Sequence, residues 1–196
     1  MHVTKTLKLL QKFTLLLLFC GITFVNQAQN ASVEKSVYGI QTSLLGIYAH
    51  NESRLSNTIA LRSEIGFDAE IWGGFFYDKT GYAATPVLTV SPRWYYNIKR
   101  RARKSRRIEG NSANFISLKT SFRPDWFVIS NYDNISYVSD ISIVPTWGIR
   151  RNIGKHFNYE AGLGIGYIHY FAKQAGYAED DDGIIVSLHL RIGYRF

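Results

Sequence analysis

The chain has 196 residues with a formal charge of +8, enough for one domain of ordinary size. Its single cysteine, Cys20, lies inside a leader-like segment, so the chain beyond it has no disulfide framework, no thiolate nucleophile and no cysteine metal site. Thirteen tyrosines, twelve phenylalanines and sixteen glycines accompany a mean hydropathy of only −0.11, a composition that suits a β-rich chain better than a helical one.

Lys5, Lys8 and Lys12 precede the apolar run FTLLLLFCGITFV at residues 13–25, and Asn26, Gln27 and Ala28 follow. Basic start, short apolar stretch and small-residue end form a secretory signal peptide, expected to be cut after residue 28. Thirteen apolar residues are too few for a spanning helix, Phe19 is too large for a lipidation box before Cys20, and no later stretch is long and apolar enough for a transmembrane helix. Residues 29–36 read as a loose, polar N-terminus, and residues 37–196 as the folded domain.

The remaining signal has a period of two, the mark of β-strands. Residues 37–50 place Tyr38, Ile40 and Leu44 against Gly39, Gln41 and Ser43, with the phase blurring after Leu44, and residues 51–57 read as a polar turn. Residues 58–72 alternate Ile59, Leu61, Ile65, Phe67 and Ile71 with Arg62, Glu64, Asp68 and Glu70. Residues 84–97 set Leu88, Val90, Trp94 and Tyr96 against Thr89, Ser91 and Arg93, although Pro86 and Pro92 each remove a ladder donor. Residues 113–129 read as one long strand, with Ile116, Leu118, Phe122 and Trp126 outward and Ser117, Lys119, Ser121, Arg123 and Asp125 inward. Residues 139–150 alternate Ile141, Ile143, Trp147 and Ile149 with Asp140, Ser142, Thr146 and Arg150. A tight turn at 151–155 uses Asn152 and Gly154. Residues 156–171 set Phe157, Tyr159, Leu163, Ile165 and Tyr167 against Asn158, Glu160, Gly162, Gly164 and Gly166.

The last thirteen residues are the most regular. Ile184, Val186, Leu188, Leu190, Ile192, Tyr194 and Phe196 form an apolar face; Ile185, Ser187, His189, Arg191, Gly193 and Arg195 form the other. One greasy face of that length suits a strand crossing a membrane in a closed barrel. Gly193, Tyr194 and the final Phe196 resemble the assembly signal that ends bacterial outer-membrane barrels. With SPRWYYN (residues 91–97) and RRNIGKHFNYEAGLGIGY (residues 150–167), the likeness is to small outer-membrane barrels of the OmpA/OmpX type, closest to the uncharacterised barrels of Bacteroidetes-type bacteria.

The resemblance implies an all-β, closed, antiparallel up-and-down barrel of about eight strands in the bacterial outer membrane. Its partners would be outer-membrane lipids and, during insertion, the barrel-assembly machinery. No cofactor or nucleic acid is implied, and no defined activity. Seven strands are clear, so an eighth is either hidden before residue 37 or produced by a break in one long segment. With the C-terminus at the periplasmic end, Tyr194, Phe196, Phe157, Tyr159, Trp147, Trp94 and Tyr96 form the girdle there. Trp72, Phe75, Phe76, Tyr77, Tyr82, Trp126, Tyr132, Tyr137 and Tyr170 gather at the other end.

Four groups of residues bear on chemistry. Arg62, Glu64, Asp68, Glu70, Lys119, Arg123, Glu160, Arg191 and Arg195 point inward with both signs, which reads as an ion-pair plug or, alternatively, a narrow polar path. Arg191 is expected to pair with a carboxylate such as Glu160 on the adjacent strand. Lys99, Arg100, Arg101, Arg103, Lys104, Arg106 and Arg107 put seven positive charges in nine residues. They read as a solvated periplasmic turn, or as a contact for anionic lipid heads or a periplasmic partner. Without the three leader lysines the charge is +5, so the chain outside this run is net acidic. Ser187 and His189, with Glu160 beside them, have the residue types of a hydrolase triad but point inward near mid-strand. The acidic run Glu179, Asp180, Asp181 and Asp182 reads as a solvated loop tip. The expectation is a non-enzymatic envelope barrel with a structural or loop-mediated binding role; a lipid-modifying enzyme and a narrow pore are the alternatives.

Overall fold

The computed structural model describes residues 31–75, 79–133 and 135–196. The expected signal peptide, and Phe76 and Tyr77 of the expected second girdle, lie outside the described residues. The strands are β1 (Ser36–Ser43), β2 (Gly46–Arg54), β3 (Ile59–Trp72), β4 (Gly81–Trp94), β5 (Asn114–Arg123), β6 (Ile129–Ser130), β7 (Asp140–Ile153), β8 (Phe157–Tyr170) and β9 (Asp181–Arg195). Each pairs antiparallel with its neighbour, β9 pairs with β1, and the sheet closes on itself. β6 is a two-residue continuation of β5 along β4, so the wall has eight staves. The protein is an all-β, eight-stranded, closed antiparallel barrel.

The eighth stave comes from residues 37–50, which form a hairpin with Leu44 and Leu45 as its turn and Ser43 opposite Gly46. Outward residues are even-numbered in β1 (Tyr38, Ile40) and odd-numbered in β2 (Ile47), so the loss of phase after Leu44 is the turn itself. The long strand expected over residues 113–129 is also interrupted. Pro124 follows β5 directly and ends its ladder, leaving Asp125 and Trp126 in a loop rather than on the strand.

Proline is accommodated inside the wall wherever one of its sides lacks a partner. Pro92 falls where the β4–β5 register is interrupted, between Val90 and Arg93, and Pro145 where β7–β8 is interrupted, between Ile143 and Thr146. Each ring keeps its register on the other side, with Leu61 and Leu118 respectively. The turn between β7 and β8 is set by Gly154, whose φ of 62° is left-handed.

Polarity is inverted relative to a water-soluble barrel. The outer wall carries Ile65, Val90, Ile116, Leu163, Ile165, Val186 and Leu188, all exposed, whereas Arg62, Glu52, Arg150 and Glu160 inside have at most 1% exposure. The apolar core is a small cluster at one end, made of Val33, Ala60, Tyr95, Ile98, Ala113 and Phe115, with Ile108 against it. This is the terminal end, where both ends of the barrel chain lie. Helix α1 (Ile98–Arg103) closes it by burying Ile98, so the basic run is partly helical rather than an open turn. Residues 31–35 are not loose either. Ala31 and Val33 are buried, Val33 N–H donates to the Asn57 carbonyl at 3.0 Å, and Glu34 N–H donates to Asn111 Oδ1 at 2.8 Å.

Candidate functional site: the charged lumen and its two ends

β-Alternation turns one residue in two inward, and a barrel of eight staves has room for little else than those side chains. Those of the terminal half form a connected ion network centred on Glu160 of β8. Its carboxylate receives Arg62 (3.3 Å), Arg93 (3.1 Å) and Arg150 (3.4 Å), Gln41 donates to it at 3.2 Å, and His189 Nε2 lies 2.7 Å away. Glu52 of β2 is a second centre. Arg150 donates to it at 2.7 Å, Tyr95 Oη at 2.5 Å and Asn111 Nδ2 at 3.2 Å, with Arg93 3.5 Å away. Glu64 is a third, holding Arg62 and, at 2.5 Å, Arg191. Burial of single charges is costly, and here each carboxylate is shared by two or more cations.

The Arg191 pairing differs from the expected one. Glu160 is its register partner on the adjacent strand, but Arg191 reaches to Glu64 on β3 and lays its guanidinium 4.0 Å from the centre of the Tyr48 ring. Glu160 is already saturated by three arginines and His189, whereas Glu64 has only Arg62 besides. The small residue at Gly193 has a steric reason: a Cβ there would lie 2.3 Å from Gln41 Cγ, displacing the side chain that links Arg62, Asn158 and Glu160.

Toward the opposite, loop end the lumen is looser. Arg123 chelates Asp140 at 2.9–3.1 Å and lies 3.5 Å from Asp68, and Tyr137 Oη donates to Asp140 at 2.6 Å. Lys119 points inward among Glu64, Asp68, Arg191 and Arg123 without a hydrogen bond or ion pair among the described residues. Glu70 is exposed and Arg195 lies at the terminal rim, paired with Glu34 at 3.0 Å; neither joins the central network. Sequence reasoning placed Arg93, Arg150, Asp140 and Gln41 inward without assigning them to the plug, and it missed Glu52 by reading it as part of a turn. The alternation Tyr48, His50, Glu52 against Ile47, Ala49, Asn51 was the available signal.

His189 bonds Glu160 through Nε2, and no hydrogen bond joins it to Ser187. His50 is buried with both ring nitrogens unpartnered among the described residues. No group of three potential metal ligands occurs among those residues, and Asp182 is engaged by Tyr167 and His169.

At the terminal rim Arg100, Arg101, Lys104, Arg106 and Arg151 line a polar cleft of about 300 Å³ with Asn97 and Asn114. Arg101 donates to the Arg107 carbonyl at 2.9 Å; burial, with Arg151 and Arg106 nearby, lowers its pKa from the ordinary guanidinium value. Lys99 and Arg103 are exposed and Arg107 pairs with Glu109 at 3.1 Å. Below the cleft Trp94 and Tyr96 make an edge-on contact and Trp147 Nε1 donates to Tyr96 Oη at 3.0 Å. Tyr194 stacks on His156 and meets Phe157 and Phe196 edge-on. Tyr132, at the other end, packs against Trp72.

Comparison of the chain with protein-family models, with curated proteins and with solved structures finds no match.

Proposed function

We propose that the protein is an integral β-barrel of the bacterial outer membrane, exported by the signal peptide, with a structural or loop-mediated binding role in the envelope and no catalytic one. The observation that carries this reading is the inverted polarity: a continuous apolar exterior around a closed ladder with a charged interior. A closed barrel pairs its backbone donors within the wall around most of the ring, which suits hydrocarbon. The aromatic contacts around Tyr96 and Tyr194 at one end and Trp72 at the other match the girdles expected at two membrane surfaces.

The same reading gives the basic cleft a partner. With the terminal end in the periplasm, Arg100, Arg101, Lys104, Arg106 and Arg151 stand just beyond the Trp94/Tyr96/Trp147 belt, at the height of anionic lipid heads. The non-catalytic reading is supported by His189, whose Nε2 is held by Glu160 rather than by Ser187.

Cell fractionation with a comparison of heated and unheated gel samples tests the reading. The protein should appear in the outer-membrane fraction and migrate faster unheated than heated. A soluble periplasmic protein without a mobility shift would sink it. Lipid masses from cells expressing the wild type and Ser187→Ala should be identical; an acyl chain lost or added through Ser187 would replace this function with lipid modification.

A further inference from the structure

The staves are unequal. β3, β4, β7 and β8 have 14 residues and β9 has 15, but β1 and β2 have only 8 and 9. The β1–β2 hairpin ends level with Arg191 of β9, opposite Ser43, and Asp68 of β3, opposite Gly46. Beyond that level, β9 from residue 181 to 190 is bonded to β8 alone, and β3 is bonded to β4, apart from Ala69 N–H, which reaches the Leu45 carbonyl. The loop half of the wall therefore has a lateral notch where two strands, each about 4.8 Å wide, are missing.

The frame of the notch is apolar outside and polar inside. Leu44 and Leu45 form its sill, Ile71 lies on one side, and Ile184 (83% exposed), Val186 and Leu188 lie on the other. An unpaired strand edge at membrane depth is tolerated only where it lines a hydrated cavity. Behind this one lie Ser187, the bonded pair Thr89 and Ser121, Ser142 and Asp68.

Across the ring from the short hairpin stands β5, with Lys119 facing inward. Among the described residues, the lumen cations Arg62, Arg93, Arg123, Arg150 and Arg191 each hold a carboxylate of Glu52, Glu64, Asp68, Asp140 or Glu160, whereas Arg54, at the terminal end opposite Ala60, and Lys119 pair with none. Among the described residues, Lys119 is the cation left over on the notch side of the lumen.

We propose that the notch admits a single-chain anionic amphiphile of the fatty-acid class from the surrounding acyl layer, with its carboxylate on Lys119 and its chain lying out over Leu44 and Leu45. The site rests on the membrane reading above. A carboxylate supplies the missing charge and needs little width to pass, and the chain stays in contact with apolar side chains throughout. The notch is too narrow to admit a lipid with a large head and several chains without parting β9 from β3.

The test uses the full chain, purified from the membrane fraction into neutral detergent, with [1-¹³C]dodecanoic acid as the probe. A carboxyl resonance distinct from that of micellar acid should grow and saturate at one equivalent. Lys119→Met should weaken binding by about tenfold, the loss of one charge-assisted contact, and Lys119→Arg should retain it. Lengthening the β1–β2 hairpin by four residues should abolish it without touching Lys119. Heat-dependent mobility, followed in each preparation, distinguishes failure of the site from failure of the barrel reading. Absence of saturable binding by the heat-modifiable wild type overturns the proposal, as does equal binding by Lys119→Met. Cross-linking of two chains through cysteines placed at Val186 in the membrane would show that a second copy covers the notch, and would also overturn it.

Discussion

Glu160 holds more of the interior together than any other side chain, since Arg62, Arg93, Arg150, Gln41 and His189 all converge on it. Its saturation decides where Arg191 goes. Arg191→Met should destabilise the barrel by about 3 kcal/mol, because it removes one of the two cations that hold buried Glu64. Glu64→Gln in the same background should recover part of the loss, while Glu160→Gln should not. Denaturant unfolding of the single and double variants in micelles measures the coupling, and additive effects for Arg191 and Glu64 would exclude the pair. That Arg191 points inward is legible in the alternation of residues 184–196. Its partner is not, because sequence spacing gives register neighbours and says nothing of which neighbour is already satisfied. Glu52 escaped for another reason: the inward alternation of Tyr48 and His50 continues to it, but its polar neighbours read as a turn.

Among the elements, β7, β8 and β9 were readable nearly to their ends, since each keeps one parity over 14 or 15 residues. β1 and β2 were not, because their turn is made of two leucines and carries none of the usual glycine or asparagine punctuation. β5 was read too long because Pro124 was passed over, and α1 was missed because a run of arginines and lysines hides the one buried residue, Ile98, that makes it a cap. β9 closes the ring, and its last bond runs from Phe196 N–H to the Tyr38 carbonyl at 3.2 Å. Deleting Phe196 removes that bond and the edge-on contact with Tyr194, together with the end of the stretch that resembles an assembly signal. Membrane insertion should fall and periplasmic proteolysis should rise, measured as folded protein in the outer-membrane fraction. Normal levels of the heat-modifiable form would contradict this.

At the scale of the whole molecule the lumen charges divide unevenly along the chain. The first four staves bring Glu52, Glu64, Asp68 and Glu70 against Arg54, Arg62 and Arg93; the last four bring Lys119, Arg123, Arg150 and Arg191 against Asp140 and Glu160. Before the ring shuts, the chain is thus two curved half-sheets of opposite net sign, the earlier one negative and the later one positive. Shutting it brings β9 onto β1 and sets Arg191 on Glu64 across that seam. The two halves attract at the moment of closure, over distances at which dissolved ions screen the attraction. Refolding into uncharged micelles should therefore slow as sodium chloride rises from 10 mM to 500 mM, concentrations that take the screening length from about 30 Å to a few ångströms. A rate indifferent to salt would leave closure to hydrogen bonding and apolar packing alone. On this account the network serves twice: as the filling of the finished lumen, and earlier as the clasp that draws the open sheet into a ring.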